Sequence, residues 1–475
     1  MEPENLRFGG GATETMLHPL VAVWLLIAIV LILTRPRGQA LTVFLLSCFC
    51  IPIGQVVVLG TLHFSVLRIL VIAGLIRRAW GRDSSSGKFP GGFNGIDQVV
   101  VFWMVSALVT LSLQWMNSTS LIHNLGDFLD MLGGYFVVRF LIPDGEAIRR
   151  TVKVLAVVCV IQGACMLNER INHFNVYGYL GGMPLEITIR DGKIRSQGVM
   201  GCLYAGAFGG ALIPWLLWLW TAGKARIIAL AGLAGATLMA ITSNSSTSLL
   251  ALAGSVVGIL FWPLRKQMKL VRWALAGTLI SLHLAMKAPV WALIAHIDLT
   301  GSSSGDHRYK LMDNCIRHFS DWWLIGYKYY NGWGYDMWDL CNQFVVVALT
   351  GGLLTLIFYI TIFKRSFGAI GTARKQVNGD RAREWLLWCM GADLFANVVA
   401  HFGINYMTQM MMTMFPLLAC ISVAAFEAKQ EKVRKAQPMV QQLVPALAAT
   451  ASYLPPSGTP EEVRHGLFAP GRGLV

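Results

Sequence analysis

The residues best suited to catalysis and anion binding lie in one polar, aromatic-rich segment between two apolar stretches. This segment contains the sequence DHRYK, with His307 and Arg308, and further along the sequence WDLCNQF, with Asp339 and Asn342. An arginine offers a fixed fork of donors that suits phosphate oxygens, and Arg317 adds a second cation. A carboxylate beside an amide can orient and deprotonate an attacking hydroxyl. Asp339 and Asn342 would share a helix face if the following span already begins there.

A second polar segment, residues 168–196, places three cations just before an apolar stretch that begins with small residues. These cations are Arg190, Lys193 and Arg195. Basic side chains that stand together bind anions through charge-assisted hydrogen bonds. We therefore expect this segment to bind an anionic ligand. An exposed surface loop is the alternative interpretation of the same composition.

A third group of charged residues lies within apolar stretches. Arg68 occurs in FSVLRILVIAGLI, and Asp127 and Asp130 occur in LGDFLDMLGGYFVVRF. The two aspartates are three residues apart, which places them on one face of a helix. Intramembrane charge is costly and is usually paired or functional. A structural ion pair and a proton relay are both open for these residues, and Arg68 is a candidate for substrate binding.

The elements that must position these residues are predicted to be membrane-spanning helices. The chain is 55% hydrophobic and 13% charged, well below the charge of about 25% in soluble domains. Apolar stretches of about 20 residues, long enough to cross a bilayer, recur along it. The sequence predicts an all-α polytopic membrane protein with about thirteen transmembrane helices within residues 1–428. The tail, residues 429–475, is expected to be cytoplasmic and disordered.

The distribution of Lys and Arg predicts the orientation of these spans. Basic residues gather in every second connection, and the positive-inside rule assigns those connections to the cytoplasm. The N-terminus is then extracytoplasmic and the C-terminus cytoplasmic. The segments 168–196 and 294–340 face outward, the second as a long loop between spans 10 and 11. This distribution explains the net charge of +14 without nucleic-acid binding. The first apolar stretch has no basic residues before it and no cleavage site after it, so we expect it to be a retained span rather than a cleaved signal peptide.

Cysteines and aromatic residues leave two further questions open. Cys315 and Cys341 flank the long loop and could form a disulfide if that loop is extracytoplasmic. The Trp and Tyr residues between 322 and 338 fit an interfacial aromatic belt or a surface that stacks on sugar rings.

The nine cysteines have no zinc spacing, and no metal or cofactor is expected. The absence of Walker A, H-E-x-x-H and G-x-S-x-G motifs argues against an ATP-driven pump, a zinc protease and a serine hydrolase.

The order of the polar motifs resembles that of the O-antigen ligase and polymerase superfamily, which also includes exopolysaccharide polymerases. The motifs are KIRSQGVMGCLYAGAFGG, SNSSTSLLALAGS, GDHRYKLMD, LIGYKYYNGWG and DLCNQFVVVALTGGLLTL. The similarity covers residues 60–425, roughly. It implies a GT-C-like membrane fold and an inverting, metal-independent glycosyl transfer at the outer face of the bacterial cytoplasmic membrane.

The resemblance also implies roles for individual residues. The donor would be a glycan on undecaprenyl diphosphate, with Arg195 and Arg308 on the diphosphate, and the acceptor would be a sugar hydroxyl. Asp339 would be the base, with His307 and His318 further away. These expectations give a catalytic set of Asp339, Arg308 and Arg195. The expected substrate-binding residues are Arg190, Lys193, Arg68, His307, Arg317 and Asn342. The expected partners are the donor and acceptor glycans and the bilayer, with a chain-length regulator and a flippase as candidate protein partners.

Two departures from the family pattern favour a polymerase over a ligase. Family ligases commonly place a histidine directly before the asparagine that matches Asn342, whereas this chain has Cys341. Ligases also often have Ser-Arg in the polar break, which here is SNSSTS. The alternatives are a ligase to lipid A core, a lipid-linked glycan flippase or other transporter using Arg68, Asp127 and Asp130, and a non-catalytic scaffold or sensor.

Overall fold

The chain folds almost entirely into helices. The computed structural model describes residues 15–60, 62–81, 89–223, 225–296, 304–334, 336–406 and 408–451. It is all-α and 77% helical, and it divides into two units, Met1–Ala428 and Lys429–Val475. Within these described residues, five helices are long and apolar enough to cross a membrane, or six if one bent pair is counted as a single span. The all-α class is confirmed, and a total of about thirteen spans stays a prediction.

The helices follow one another through short connections, and each apolar stretch predicted as a span overlaps at least one of them. In the first half of the described chain they are α1 (Pro19–Thr34), α2 (Arg37–Cys50), α3 (Val66–Ala79), α4 (Gly95–Trp115), α5 (Ser118–Phe128), α6 (Gly134–Leu141) and α7 (Gly145–Asn172). In the second half they are α8 (Cys202–Thr221), α9 (Arg226–Thr242), α10 (Ser246–Leu260), α11 (Met268–Ala285), α12 (Ser304–Arg317), α13 (Phe319–Trp322), α14 (Gln343–Gln376), α15 (Arg381–His401) and α16 (Thr408–Ala451).

Shorter elements connect these helices. A π-helical turn, Leu129–Gly133, joins α5 to α6, and 3-10 turns cover Val176–Leu180, Trp262–Lys266, Val290–His296 and Tyr330–Trp333. Two antiparallel hairpins are formed by β1 (Val56–Leu59) with β2 (Leu62–Ser65), and by β3 (Thr188–Arg190) with β4 (Lys193–Arg195).

The helices that meet the length and composition for a span are α4, α7, α8, α14 and Gln409–Lys435 of α16. The bent pair is α11 with Val290–His296, at 91°. In the second unit, Lys429–Ala451 is helical, although composition predicts disorder there. Between Lys429 and Ala451 the sequence has five Ala, four Gln and three Lys, which are good helix formers, together with Pro438 and Pro445, which are not. Residues 452–475 lie outside the described part of the chain.

Glycines allow the main chains of α7, α8 and α9 to approach closely. A Cβ atom on Gly163 of α7 would lie 2.6 Å from the carbonyl oxygen of Gly235 on α9. A Cβ atom on Gly209 of α8 would lie 2.7 Å from the carbonyl oxygen of Ala236. Small residues at such crossings are typical of helices packed in membranes. Their close packing fixes where the turn between α9 and α10 lies.

The helix α14 is interrupted at Gly352, which has φ 71° and ψ −176°. Only glycine adopts this conformation at low cost. The interruption frees backbone groups that bond to the chain around and after α13: the Tyr327 amide donates to the Leu349 carbonyl at 2.7 Å, and the Leu353 amide donates to the Trp323 carbonyl at 2.8 Å. The break therefore ties the polar segment to a spanning helix.

The segment expected to be a long loop contains α12, α13 and a 3-10 turn, and we call its described residues, 304–334 and 336–340, the helical cap. The cap has a small apolar core of its own. Leu311, Cys315, Trp322 and Met337 are buried in one cluster with the start of α14. Leu311 and Cys315 are four residues apart, so they point from one face of α12. This core gives the polar side chains of the cap fixed positions.

Replacing Gly352 with alanine should destabilise the protein. The new Cβ would lie 2.5 Å from the carbonyl oxygen of Leu324, and the backbone conformation alone costs about 1–3 kcal/mol for a non-glycine residue. Gly368→Ala on the same helix is the matched control, because a Cβ there meets nothing within 4 Å. Thermal unfolding of the detergent-purified variants should show a lower melting temperature for Gly352→Ala and an equal or higher one for Gly368→Ala. Equal melting temperatures for Gly352→Ala and wild type would contradict this account of the break.

Candidate functional site

The three cations of the first polar segment lie on one β-hairpin rather than in an irregular loop. Arg190 on β3 pairs with Lys193 on β4. The turn between them is Asp191–Gly192, with φ values of 51° and 70°. Two positive φ values fit the tight Asp-Gly turn that matches the twist of a hairpin. Because side chains alternate across a strand, Arg190, Lys193 and Arg195 share one face.

This cationic hairpin is anchored at its base by two buried polar contacts. The Glu169 carboxylate at the end of α7 accepts hydrogen bonds from the Gln197 amide at 2.8 Å and the Gly198 amide at 3.1 Å. The Asn244 side chain, in the turn between α9 and α10, donates to the Ile194 carbonyl at 2.6 Å. These bonds hold the cations of the hairpin against the end of α7 and the turn between α9 and α10.

Arg308 approaches the same region from the first turns of α12. Its side chain is only 5% exposed. The guanidinium Nη2 donates to Thr247 Oγ1 at 3.0 Å, and that hydroxyl donates to the Gly403 carbonyl at 3.0 Å. A Cβ atom on Gly403 would lie 2.5 Å from Thr247 Oγ1, so the glycine permits this close approach. The start of α10, the cap and the segment after α15 therefore meet at the guanidinium.

Asp339 lies at the end of the cap with its side chain 56% exposed. His307 Nε2 is 2.9 Å from the Asp339 carbonyl oxygen and 3.9 Å from its Oδ2. The carboxylate is therefore open to a ligand while the backbone is held. Burial, together with the Asp339 charge, raises the pKa of the neighbouring Cys341 thiol to about 11. A neutral thiol is a poor base, which leaves Asp339 as the better-placed proton acceptor.

These groups line one cleft with a volume of about 360 Å³. Its charged lining consists of the cations Arg190, Lys193, Arg195 and Arg308 and the carboxylates Asp191, Asp336 and Asp339. The other lining residues are Leu203, Asn244, Ser245, Ser246, His307, Trp338, Cys341, Gly403, Ile404 and Asn405. Six of the nine residues predicted for a site thus come together, from segments far apart in the sequence.

The polar atoms on the wall of this cleft include two, from different elements, that are buried without a hydrogen-bond partner among the described residues. They are Arg195 Nε and Ser245 Oγ, and Ser245 is only 1% exposed. A buried polar group left unsatisfied costs about 1–3 kcal/mol. A ligand rich in oxygen atoms would remove that cost, and the four cations of the lining favour an anionic one.

Asn342 and Arg317 are predicted substrate-binding residues that do not line the cleft. Asn342 is the N-cap of α14, and its Oδ1 accepts from the Phe344 and Val345 amides at 3.0 and 3.2 Å. Because the helix begins only at Gln343, the condition for a common helix face of Asp339 and Asn342 is not met. Arg317 is exposed and pairs with Asp313, one turn earlier on α12, at 2.6 Å.

Arg68 also lies outside the cleft lining, in an ion pair. Its Nε and Nη2 donate to the two carboxylate oxygens of buried Asp130 at 3.0 and 2.8 Å. Its Nη1 donates to the His63 carbonyl at 2.6 Å, and Asp127 is 3.8 Å away. Bidentate pairing of this kind satisfies the half-buried guanidinium of Arg68. The geometry favours a structural ion pair between α3 and the π-helical turn.

Cys315 and Cys341 are free thiols in the structure, and burial raises the pKa of Cys315 to about 12. In the described part of the chain, no three His, Cys, Asp or Glu side chains lie together as they would around a metal ion.

Sequence reasoning missed the residues that support the cations. The break SNSSTS lacks the arginine of family ligases, yet its Thr247 bonds to Arg308. Asn405 accepts a hydrogen bond from the Tyr204 hydroxyl at 2.9 Å at the cleft wall. No local signal marks these tertiary contacts. The Asp191–Gly192 pair, in contrast, is a strong local signal for a hairpin.

Fold and site together define an all-α protein with apolar helices of spanning length and a polar cleft lined by four cations and three carboxylates. No protein-family model matches the chain, and no curated protein matches it.

The raised pKa of Cys341 predicts slow alkylation at neutral pH. Only the thiolate reacts, so the rate at Cys341 should rise about tenfold per pH unit between pH 6 and 9 without a plateau, as expected for a pKa of about 11. Peptide-resolved mass spectrometry of the iodoacetamide-treated protein measures this rate, and Cys315, more deeply buried, is the internal comparison and should react more slowly. A plateau near pH 8 would contradict the proposed environment of Cys341.

Proposed function

We propose that this protein is a bacterial cell-surface polysaccharide polymerase that transfers a growing glycan from undecaprenyl diphosphate to an acceptor sugar hydroxyl. The observation that best supports the proposal is the shared cleft, in which Arg195 and Arg308 approach from different segments and Asp339 lies exposed beside them. This arrangement matches the needs of a reaction between a donor that carries a diphosphate and a separate acceptor that supplies a hydroxyl nucleophile.

We further infer a multi-pass placement in the bacterial cytoplasmic membrane. The overlap of every predicted span with a helix supports about thirteen spans. The alternation of basic connections supports an extracytoplasmic N-terminus and a cytoplasmic C-terminus. The cleft then opens at the outer face of the membrane, where lipid-linked glycans are present and cytosolic nucleotide sugars are not.

The proposed reaction is a single displacement at the anomeric carbon of the donor. The acceptor oxygen forms a bond to that carbon, and the bond from the carbon to the diphosphate oxygen breaks with its electron pair going to the diphosphate. The acceptor proton passes to the Asp339 carboxylate. Because the acceptor attacks opposite the leaving group, the anomeric configuration inverts. The acceptor hydroxyl must lie within hydrogen-bond reach of the carboxylate for this transfer.

Arg195 and Arg308 would supply the stabilisation of the leaving group. Negative charge grows on the diphosphate as the bond breaks, and donors fixed in advance lower the barrier without reorganising. The bond from Arg308 to Thr247 fixes one guanidinium. Arg195 Nε and Ser245 Oγ would find acceptors in the phosphate oxygens. The hairpin residues Arg190 and Lys193 would extend the positive field toward the cleft opening.

Two other activities share parts of this chemistry. A ligase would use the same donor and differ only in its acceptor, lipid A core. A flippase would move the lipid-linked unit without breaking the glycosidic bond, and its charged residues would be Arg68, Asp127 and Asp130. The bidentate pairing of Arg68 with Asp130 makes these residues less available for transport.

Substitution of Arg308 tests the proposal. In proteoliposomes supplied with the lipid-linked repeat unit, the wild type should produce a ladder of longer glycans. Arg308→Ala should lower kcat/KM by about 100-fold or more, as for the loss of one preorganised donor to a developing anion. Arg317→Ala on the same helix is the matched control and should stay within about twofold of wild type, since its side chain is exposed and lies outside the cleft.

Other outcomes separate the alternatives. Transfer that occurs only when lipid A core is added identifies a ligase. Translocation of the repeat unit without chain growth, unchanged by Arg308→Ala, identifies a transporter and contradicts the polymerase.

A further inference from the structure

Trp338 is a large apolar side chain exposed in a polar cleft. Its side chain is 70% exposed, and it lines the cleft beside Asp336 and Asp339. Exposed apolar surface within a site built from charged groups is not explained by packing, and such surface commonly marks a binding site. The proposed contacts to the diphosphate do not use this side chain.

The position of Trp338 is set by its neighbours. Met337 is 1% exposed and lies in the cap core with Leu311 and Cys315. Asp336 has φ 58°, so the chain turns sharply just before Met337. The indole Nε1 donates to Asp336 Oδ1 at 3.2 Å, and the Asp339 amide donates to the Asp336 carbonyl at 3.1 Å. The indole nitrogen is thereby satisfied within the protein, and most of the ring surface stays open.

An open indole flanked by two carboxylates matches the two kinds of surface on a sugar ring. The C–H groups on one side of a pyranose are weakly positive and pack against the negative face of an aromatic ring. The hydroxyls around its edge donate to carboxylate oxygens, which only accept. Asp336 and Asp339 provide such acceptors on either side of Trp338 in the sequence.

We propose that Trp338 is the platform of the acceptor subsite, on which the terminal sugar ring of the acceptor stacks while Asp339 accepts a hydrogen bond from its hydroxyl. This inference rests on the proposed function and names the part of the cleft that takes the acceptor rather than the donor. An interfacial aromatic belt is the competing role for such a residue. A belt residue faces lipid, whereas Trp338 lies in a cleft with His307, Arg308 and three carboxylates.

The test uses a soluble acceptor, namely the repeat-unit oligosaccharide of the host organism, released from its lipid diphosphate by mild acid. At saturating lipid-linked donor, Trp338→Ala should raise the KM for this oligosaccharide about tenfold, with kcat changed less than about twofold, because stacking acts in binding. Trp338→Phe should recover most of the loss. Trp273→Ala is the matched control, since Trp273 on α11 is also 70% exposed but does not line the cleft, and its KM should equal that of wild type.

Equilibrium binding of the same oligosaccharide, by saturation-transfer NMR on the detergent-purified protein without donor, separates the two proposals. The acceptor subsite is supported if Trp338→Ala binds the oligosaccharide tenfold more weakly, while Trp273→Ala binds normally and the melting temperature is unchanged. This holds even if the wild type makes no polymer. In that case the polymerase proposal alone fails. Equal binding by wild type and Trp338→Ala, or no binding by wild type, overturns the acceptor subsite and leaves the polymerase proposal to the turnover assay.

Discussion

The architecture of the cleft depends on one buried connection, from the Arg308 guanidinium through Thr247 to the Gly403 carbonyl, with both hydrogen bonds at 3.0 Å. A guanidinium that is only 5% exposed is stable only where hydrogen bonds replace its hydration. The connection supplies part of that replacement and joins three segments that are distant in sequence. An anion in the cleft would supply more, so the same constraint that organises the fold also favours a phosphate-bearing ligand.

The remaining walls of the cleft are held in place by separate local features, namely hydrogen bonds, a tight turn, a helix break and an N-cap. The carboxylate of Glu169 anchors the cationic hairpin, and the Asp191–Gly192 turn sets its register. The break at Gly352 and the N-cap at Asn342 attach the cap to α14, so that Asp339 projects just before the helix begins. Each device satisfies backbone groups that would otherwise be unpaired. The cleft is therefore a product of tertiary structure, although Asp339, Arg308 and Arg195, the residues expected to be catalytic, were named from the sequence.

Hydropathy predicted the all-α class, and local composition predicted the cations and the carboxylate that line the cleft. The all-α class is confirmed, because hydropathy depends on segment averages. The cations and the carboxylate do line one cleft, and their roles stay predictions. Three of the residues expected to bind substrate have partners within the protein in this structure. Asn342 caps α14, and Arg317 pairs with Asp313 on its own helix. Arg68 pairs with Asp130. These contacts arise from the local backbone and from helix packing. The role of Thr247 was not predictable, since its bond to Arg308 spans 61 residues and arises only from helix packing.

The central claim is that Arg195 and Arg308 bind one diphosphate together, and a double-mutant cycle on ligand binding tests it most directly. Binding of undecaprenyl diphosphate to the protein in nanodiscs would be measured for wild type, Arg195→Ala, Arg308→Ala and the double variant. Each single substitution should weaken binding about tenfold or more. The loss of affinity in the double variant should be smaller than the product of the two single losses, because the two arginines act on the same group. Unchanged affinity in either single variant, at normal expression and melting temperature, would contradict the account.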